Sequence, residues 1–289
     1  VTRALEGISH IALVVALPTL IAQLSAERHR PYAMTLWGSY FGVTFALVAW
    51  IGAPLARAHG PALLFQIHAV VMVILAAALA RVLPKGLIPR KNSPLPDLKD
   101  LVAAHPRIYA SPRIAAPALG WFFYTLTFVA LLTVLPPYLP ETTRGTLTFW
   151  MPLAGILVSL TLGAQLLRRM PAVSIVLIGL ALASLGLVFM WLAPSAFAAP
   201  ILVFGALGLV QGASFTAIPQ LNPDPADQAL ANGALAQMGN VGTTCGTPLL
   251  AALLAQAGIG GFLLFAIALY SCGFLLHLLL AGRRRRQLA

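Results

Sequence analysis

The chain has 289 residues, 60% of them hydrophobic and only 9% charged, and its mean hydropathy is +0.90. Soluble domains carry about 25% charged residues, so this composition excludes an ordinary water-soluble fold. The formal net charge of +11 would suit nucleic acid, but the basic residues flank apolar runs, which favours anchoring at a membrane surface and argues against nucleic acid as a partner.

Nine apolar runs follow one another, at roughly 4–24, 33–56, 61–83, 114–139, 146–167, 172–193, 197–219, 233–256 and 260–281, with ends good to about four residues. A bilayer core about 30 Å thick needs about 20 apolar residues in a spanning helix. Only helices and closed barrels satisfy their own backbone in lipid. Barrel strands are short and alternate in polarity, whereas these runs are long and apolar all round. The expected fold class is all-α, a polytopic transmembrane helical bundle of about nine spans. Prolines cluster near the run ends (Pro54, Pro61, Pro136, Pro137, Pro194, Pro200, Pro219), where no interior hydrogen bond is lost. Cys245 and Cys272 lie inside apolar runs, so no disulfide framework is expected and both read as packed thiols.

Orientation follows from Lys and Arg. Of the 18, fifteen fall in one set of connectors: Arg28 and Arg30, seven between Arg81 and Arg113, Arg168 and Arg169, and Arg283 to Arg286. The opposite set holds Arg57 and Arg144, and Arg3 opens the first run. The basic side is expected to be cytoplasmic, with the C-terminus inside and the protein multi-pass in a plasma membrane, a bacterial inner membrane. Arg283–Arg286 reads as an anchor for the last helix.

The polar, proline-rich stretch 84–113 divides the chain. The expected layout is a three-helix bundle over 1–83, a cytoplasmic linker over 84–113, a six-helix bundle over 114–282 and a basic tail over 283–289. Within the linker, residues 95–104 have the pattern of a short amphipathic surface helix.

Arg3-Ala-Leu-Glu-Gly7 has the form R-x-x-x-G and precedes an apolar helix and the basic turn Glu27–Arg30. Gly38, Gly42 and Gly52-Ala-Pro54 punctuate the next run, and Gly163-Ala-Gln-Leu-Leu-Arg168-Arg169 forms a basic turn without an Asp. Gly246-Thr-Pro248 echoes Gly52-Ala-Pro54. With three spans, a long basic loop and six spans, the chain resembles helices 4–12 of the twelve-helix major facilitator superfamily, with the first three helices lacking. That resemblance implies a secondary transporter working by alternating access, with an intramembrane Arg on the fourth helix linked to proton coupling. It also implies a central cavity lined by the first, fourth and seventh runs here.

Three site groups follow. Arg3, Glu6 and His10 lie three and four residues apart, on neighbouring turns of one helix face, and are the candidates for proton coupling. Ionisable groups within a membrane cost at least about 2.5–3.5 kcal/mol and mark function; the alternative is an interfacial cluster at headgroup level. Trp121, Tyr124 and Thr125, among the neighbours Phe122, Phe123 and Thr127, with Gln211, Ser214 and Phe215, beside Thr216 and Gln220, are the candidates for the substrate cavity. Such aromatic and uncharged polar groups suit a small neutral or amphipathic organic solute. Gly7, Gly38, Gly42, Gly205, Gly208, Gly212, Gly239, Gly242 and Gly246 are the expected helix-packing glycines. Gln237, Asn240, Thr243 and Thr244 should face other helices or the cavity. His68 and His277 read as packing residues, since nothing with metal-ligand spacing accompanies them.

No metal, cofactor or nucleotide motif is present in the sequence, so an ion gradient is the expected energy source, with protons, a small solute and the bilayer as partners. The chain alone is expected to be inactive and the full-length protein monomeric; efflux and uptake both fit the sequence. A membrane-embedded enzyme would need clustered acids or metal-spaced His, and a channel would need a charged ring or filter; neither is visible.

Overall fold

A computed structural model describes residues 2–83 and 98–287. Among them no strand occurs. The helices are α1 (Thr2–Leu24), α2 (Arg30–Gly38), α3 (Tyr40–Leu47), α4 (Ala53–His59), α5 (Pro61–Val82), α6 (Leu98–Ala110), α7 (Ala115–Thr133), α8 (Arg144–Val158), α9 (Ala164–Leu167), α10 (Ala172–Leu192), α11 (Ala198–Leu221) and α12 (Pro225–Arg286). Single π-helical turns, Val48–Gly52 and Ser159–Gly163, join α3 to α4 and α8 to α9. Seven helical segments are long and apolar enough to cross a membrane. The expected span 33–56 is the exception in kind, being assembled from α2, α3, a π turn and α4. The surface helix expected at 95–104 is described from Leu98 and runs on to Ala110; residues 84–97 of the linker lie outside the described residues.

At 62 residues, α12 would reach ~93 Å at 1.5 Å per residue, about three bilayer cores. Gly258 divides it: its φ of 65° and ψ of −171° lie in a region essentially reserved for glycine. The two halves, 225–257 and 259–286, are the two expected spans. Contacts with α7 set their directions. Gly239, Gly242 and Gly246 meet Trp121, Phe122 and Leu126 in rising order, so the first half runs parallel to α7. In the second half Tyr270 meets Thr127, Gly273 meets Phe123 and Arg284 meets Pro112, in falling order. The chain therefore folds back at Gly258 and clasps α7 from two sides.

The chain forms two compact units, 1–43 with 106–289, and 44–105. In the smaller unit, α4 packs on the preceding π turn and on α5, Gly60 turns the chain between them at a φ of 81°, and no residue of α5 is buried. In the larger unit α11 is the centre. It packs against α2, α7, α8 and α10, and 89% of its most apolar window is buried. Side chains that point outward are apolar as well: Leu182, Leu185, Phe189 and Leu192 on α10, and Trp150, Leu157 and Leu162 along α8 and its π turn. Water would penalise such a surface; hydrocarbon does not.

In lipid, helices gain little from burying apolar area and associate instead by close packing and hydrogen bonds. Both devices are present. Thr127 Oγ1 lies 3.1 and 3.0 Å from the Phe123 and Tyr124 carbonyls and 2.7 Å from the Tyr270 hydroxyl. With the threonine proton given to its own helix, Tyr270 is the donor across the α7–α12 seam. Thr127→Val should leave that phenol buried without an acceptor, at about 1–3 kcal/mol, and adding Tyr270→Phe should recover most of the loss. Melting of the single and double variants in detergent checks this; a single variant as stable as the parent would refute it.

One end of the larger unit gathers the basic connectors. Arg284 Nη1 donates to the Pro112 carbonyl at 2.8 Å, Asn222 reaches the Arg113 carbonyl, Arg107 pairs with Asp227 at 3.5 Å, and Arg168 approaches the Tyr32 hydroxyl. Tyr109 donates to Gln237 Oε1 at 2.6 Å at the same end. Among the described residues of the larger unit, Arg107, Arg113, Arg168 and Arg284, which the Lys and Arg distribution assigns to one side, thus gather at one end.

Candidate functional site

Deeper in the larger unit, α1, α2, α3, α7, α11 and the first half of α12 enclose a cavity of about 140 Å³. Helical periodicity supplies its wall. His10 and Val14 are four apart on α1, Trp121 and Thr125 four apart on α7, and Ala236, Asn240 and Thr243 follow the same face of α12. Trp37, Tyr40 and Phe215 complete it from α2, α3 and α11. The cavity begins about two turns in from the basic end of α7.

Its chemistry is divided. Four aromatic rings form one part: Trp121 meets Phe215 edge-on at 5.1 Å, and Trp37 lies 5.2 Å from Tyr40. Asn240, Thr243 and Thr244 form an uncharged polar part. The Thr125 hydroxyl is 3.1 Å from the Trp121 and Phe122 carbonyls, so it is spent on its own helix. Trp37 differs: its indole N–H is buried with no acceptor among the described residues. Among the described residues no carboxylate lines the cavity, and His10 is the one imidazole that does. Among the described residues no group of His, Cys, Asp and Glu could hold a metal.

The expected cavity residues separate into two sets. Trp121, Thr125 and Phe215 line it; Tyr124, Gln211 and Ser214 do not. Tyr124 is fully buried behind Trp121, stacked at 4.4 Å, and leads on through Phe128 at 4.9 Å. It fixes the plane of the lining indole. The Gln211 amide donates to the Gly38 carbonyl and so ties α11 to α2. Ser214 is buried one position round the helix from Phe215. Polarity on α11 thus marked helix contacts as well as cavity, a distinction that a run of residue types does not carry.

Among the proton-coupling candidates, His10 lines the cavity and Glu6 is exposed one turn earlier on α1. Arg3 belongs to α1, and its side chain lies outside the described residues. Trp37 and Tyr40 were not expected at the site; their signal was an aromatic pair beside the small residues Gly38 and Ser39.

The packing glycines also separate. Gly38, Gly42, Gly208, Gly212, Gly239, Gly242 and Gly246 each sit where a Cβ would press on a neighbouring helix, and Gly205 has one looser neighbour, Val158, at 3.3 Å. Gly7 faces open space within 4 Å and packs against nothing there, because α1 is exposed on that face. Glycines not singled out from sequence also behave as contact points: Gly120 beneath His277, Gly155 against α11, Gly273 against Phe123, and Gly179 and Gly186 against Val210 and Val203. Spacing of seven between the last two was a legible signal. Cys245 and Cys272 are exposed rather than packed, since both point away from the α7 seam. His277 is buried, whereas His68 on α5 is exposed.

A helical membrane bundle built around such a cavity is the architecture of a solute carrier. The profile of the Major Facilitator Superfamily matches residues 1–226. Among solved structures, the human organic anion transporter MFSD10 (TETRAN) is similar with a TM-score of 0.70 and 20% identity, over 91% of this chain and 67% of that one. The major facilitator superfamily transporter FucP in its outward conformation is similar with a TM-score of 0.68 and 14% identity, over 93% of this chain and 72% of that one. A variant of the E. coli fucose:proton symporter FucP gives 0.67 and 14% over 93% and 73%. No match to a curated protein was found. The chain belongs to the major facilitator superfamily; it is a multi-pass membrane transporter and not an enzyme.

Proposed function

We propose that this protein is a secondary active transporter, driven by protons, that moves a small neutral or amphipathic organic solute by alternating access, the direction, efflux or uptake, being what the flux measurement reads. The cavity carries the reading. Aromatic rings and amide or hydroxyl groups surround about 140 Å³ with no carboxylate among the described residues of the wall, and a cavity near 150 Å³ is large enough for a single six-membered ring. The unpaired Trp37 indole N–H offers a hydrogen bond to an acceptor on the solute. A buried ion would need a paired partner, which favours an uncharged one. FucP is described as a fucose:proton symporter and MFSD10 as an organic anion transporter; the cavity wall here favours the uncharged class.

In this reading residues 1–83 and 114–282 are parts of two bundles joined by the 84–113 linker. Arg3, Glu6 and His10 carry the proton coupling, and the protein acts as a monomer in a bacterial inner membrane with its C-terminus and basic connectors in the cytoplasm.

The test is gradient-driven flux of a panel of uncharged labelled solutes in proteoliposomes of the full-length protein. A solute should accumulate or be expelled on imposing a pH gradient and stop on adding a protonophore. Trp121→Ala should weaken its binding by about tenfold, since a lost aromatic stack is worth about 0.5–1.5 kcal/mol beyond area. Flux indifferent to the gradient would remove the coupling; binding indifferent to both Trp121→Ala and Trp37→Phe would remove the cavity.

A further inference from the structure

Two arginines in the larger unit have no role in the transport cavity. Arg168 and Arg169 follow directly on α9, where the spanning segment Arg144–Leu167 ends. Together with Tyr32 at the start of α2 and with Gln165, they line a polar recess of about 480 Å³. Both guanidinium groups are exposed. Among the described residues the recorded ion pair is Arg107 with Asp227, and neither Arg168 nor Arg169 has a carboxylate partner. Arg168 makes one long contact, 3.4 Å from Nη1 to the Tyr32 hydroxyl, which leaves most of its donors unused. The neighbouring acid, Glu27, lines a separate recess with Arg30, Thr216, Pro219 and Gln220.

Each arginine presents a planar fork that matches two oxygens of a phosphate. Tyr32 and Gln165 add a hydroxyl and an amide, donors that a third oxygen can use. The recess lies between two spanning segments, where their apolar runs end. Basic clefts in that position hold anionic lipid headgroups. Solvated arginines that merely anchor a helix would need neither the concavity nor the shared tyrosine.

We propose that the recess formed by Tyr32, Gln165, Arg168 and Arg169 binds an anionic phosphate group at the membrane surface. The ligand chemistry is a phosphate monoester or diester with net negative charge, supplied by a lipid headgroup or by a free phosphate. This site is separate from the transport cavity and does not depend on what that cavity carries.

The experiment is native mass spectrometry of the purified 289-residue chain in detergent with phosphatidylglycerol. Arg168→Gln with Arg169→Gln should lower retention of the lipid by about tenfold, as loss of charge-assisted paired bonds implies. Arg168→Lys with Arg169→Lys keeps the charge but not the fork and should lower it by roughly two- to fivefold, which keeps the test open if the Gln pair does not fold. A chain carrying Arg283→Gln, Arg285→Gln and Arg286→Gln should stay within about twofold of the parent, because a diffuse tail lacks the paired geometry. Millimolar inorganic phosphate separates the sources: displacement of the lipid assigns the site to free phosphate also, and persistence assigns it to the headgroup. Equal retention by the parent and the Gln pair, equal retention of zwitterionic phosphatidylcholine, or an equal loss in the tail variant would overturn the proposal.

Discussion

Gly208→Ala is expected to be among the most damaging single-methyl changes in this chain. A Cβ there would lie 2.8 Å from the Gly155 carbonyl carbon and 2.9 Å from its Cα, with the carbonyl oxygen nearer still. Those are backbone atoms of α8, so no side chain can swing aside. The reciprocal position is little better: a Cβ on Gly155 would stand 3.0 Å from the Phe204 carbonyl oxygen. Gly246→Ala meets the same obstacle, with Leu126 C at 2.6 Å and Cα at 2.7 Å. Overpacking costs about 1–3 kcal/mol even where side chains can adjust. A melting temperature lower by roughly 5 °C or more in detergent follows for each. Gly7→Ala and Gly233→Ala, where nothing lies within 4 Å, should be neutral or should gain up to about 1 kcal/mol from helix propensity. Equal melting across all four variants would show that close backbone approach does not hold this bundle together.

Glu6→Gln in the full-length transporter is expected to abolish gradient-driven flux while leaving solute binding at fixed pH in place. The substitution keeps shape and removes the ability to carry a proton. Glu6 stands one turn from His10 on α1, and His10 is part of the cavity wall, so a proton on this face of α1 would lie close to a solute held in the cavity as proposed. His10→Gln should uncouple likewise, and it should alter binding as well because the ring touches the cavity. Flux of the Glu6→Gln protein at the parent's rate in reconstituted vesicles would take Glu6 out of the mechanism.

The site was legible in part, for a physical reason. Trp121, Thr125 and Phe215 were readable as wall because aromatic and hydroxyl side chains inside apolar runs must face either a cavity or another helix. The sequence does not say which of the two. Gln211 and Tyr124 have the same character, yet one is taken by the Gly38 carbonyl and the other lies behind an indole. Trp37 and Tyr40 were missed because they belong to a run broken by Ser39 and a π turn, where helical periodicity no longer predicts a face. Gly7 is the converse case: the motif fitted, and among the described residues nothing lies within 4 Å of it.

Membrane spans, and the gathering of Arg107, Arg113, Arg168 and Arg284 at one end of the larger unit, could be read from residue order, because the cost of placing charge or unpaired backbone in hydrocarbon acts on each segment alone. The fold-back of Pro225–Arg286 at Gly258, the clasp of its halves around α7, and the choice of which polar residues line the cavity rather than meet a helix depend on what packs against what. Those contacts join residues a hundred or more positions apart, such as Thr127 with Tyr270 and Gln211 with Gly38. No local pattern encodes them, so they became visible once the helices were assembled.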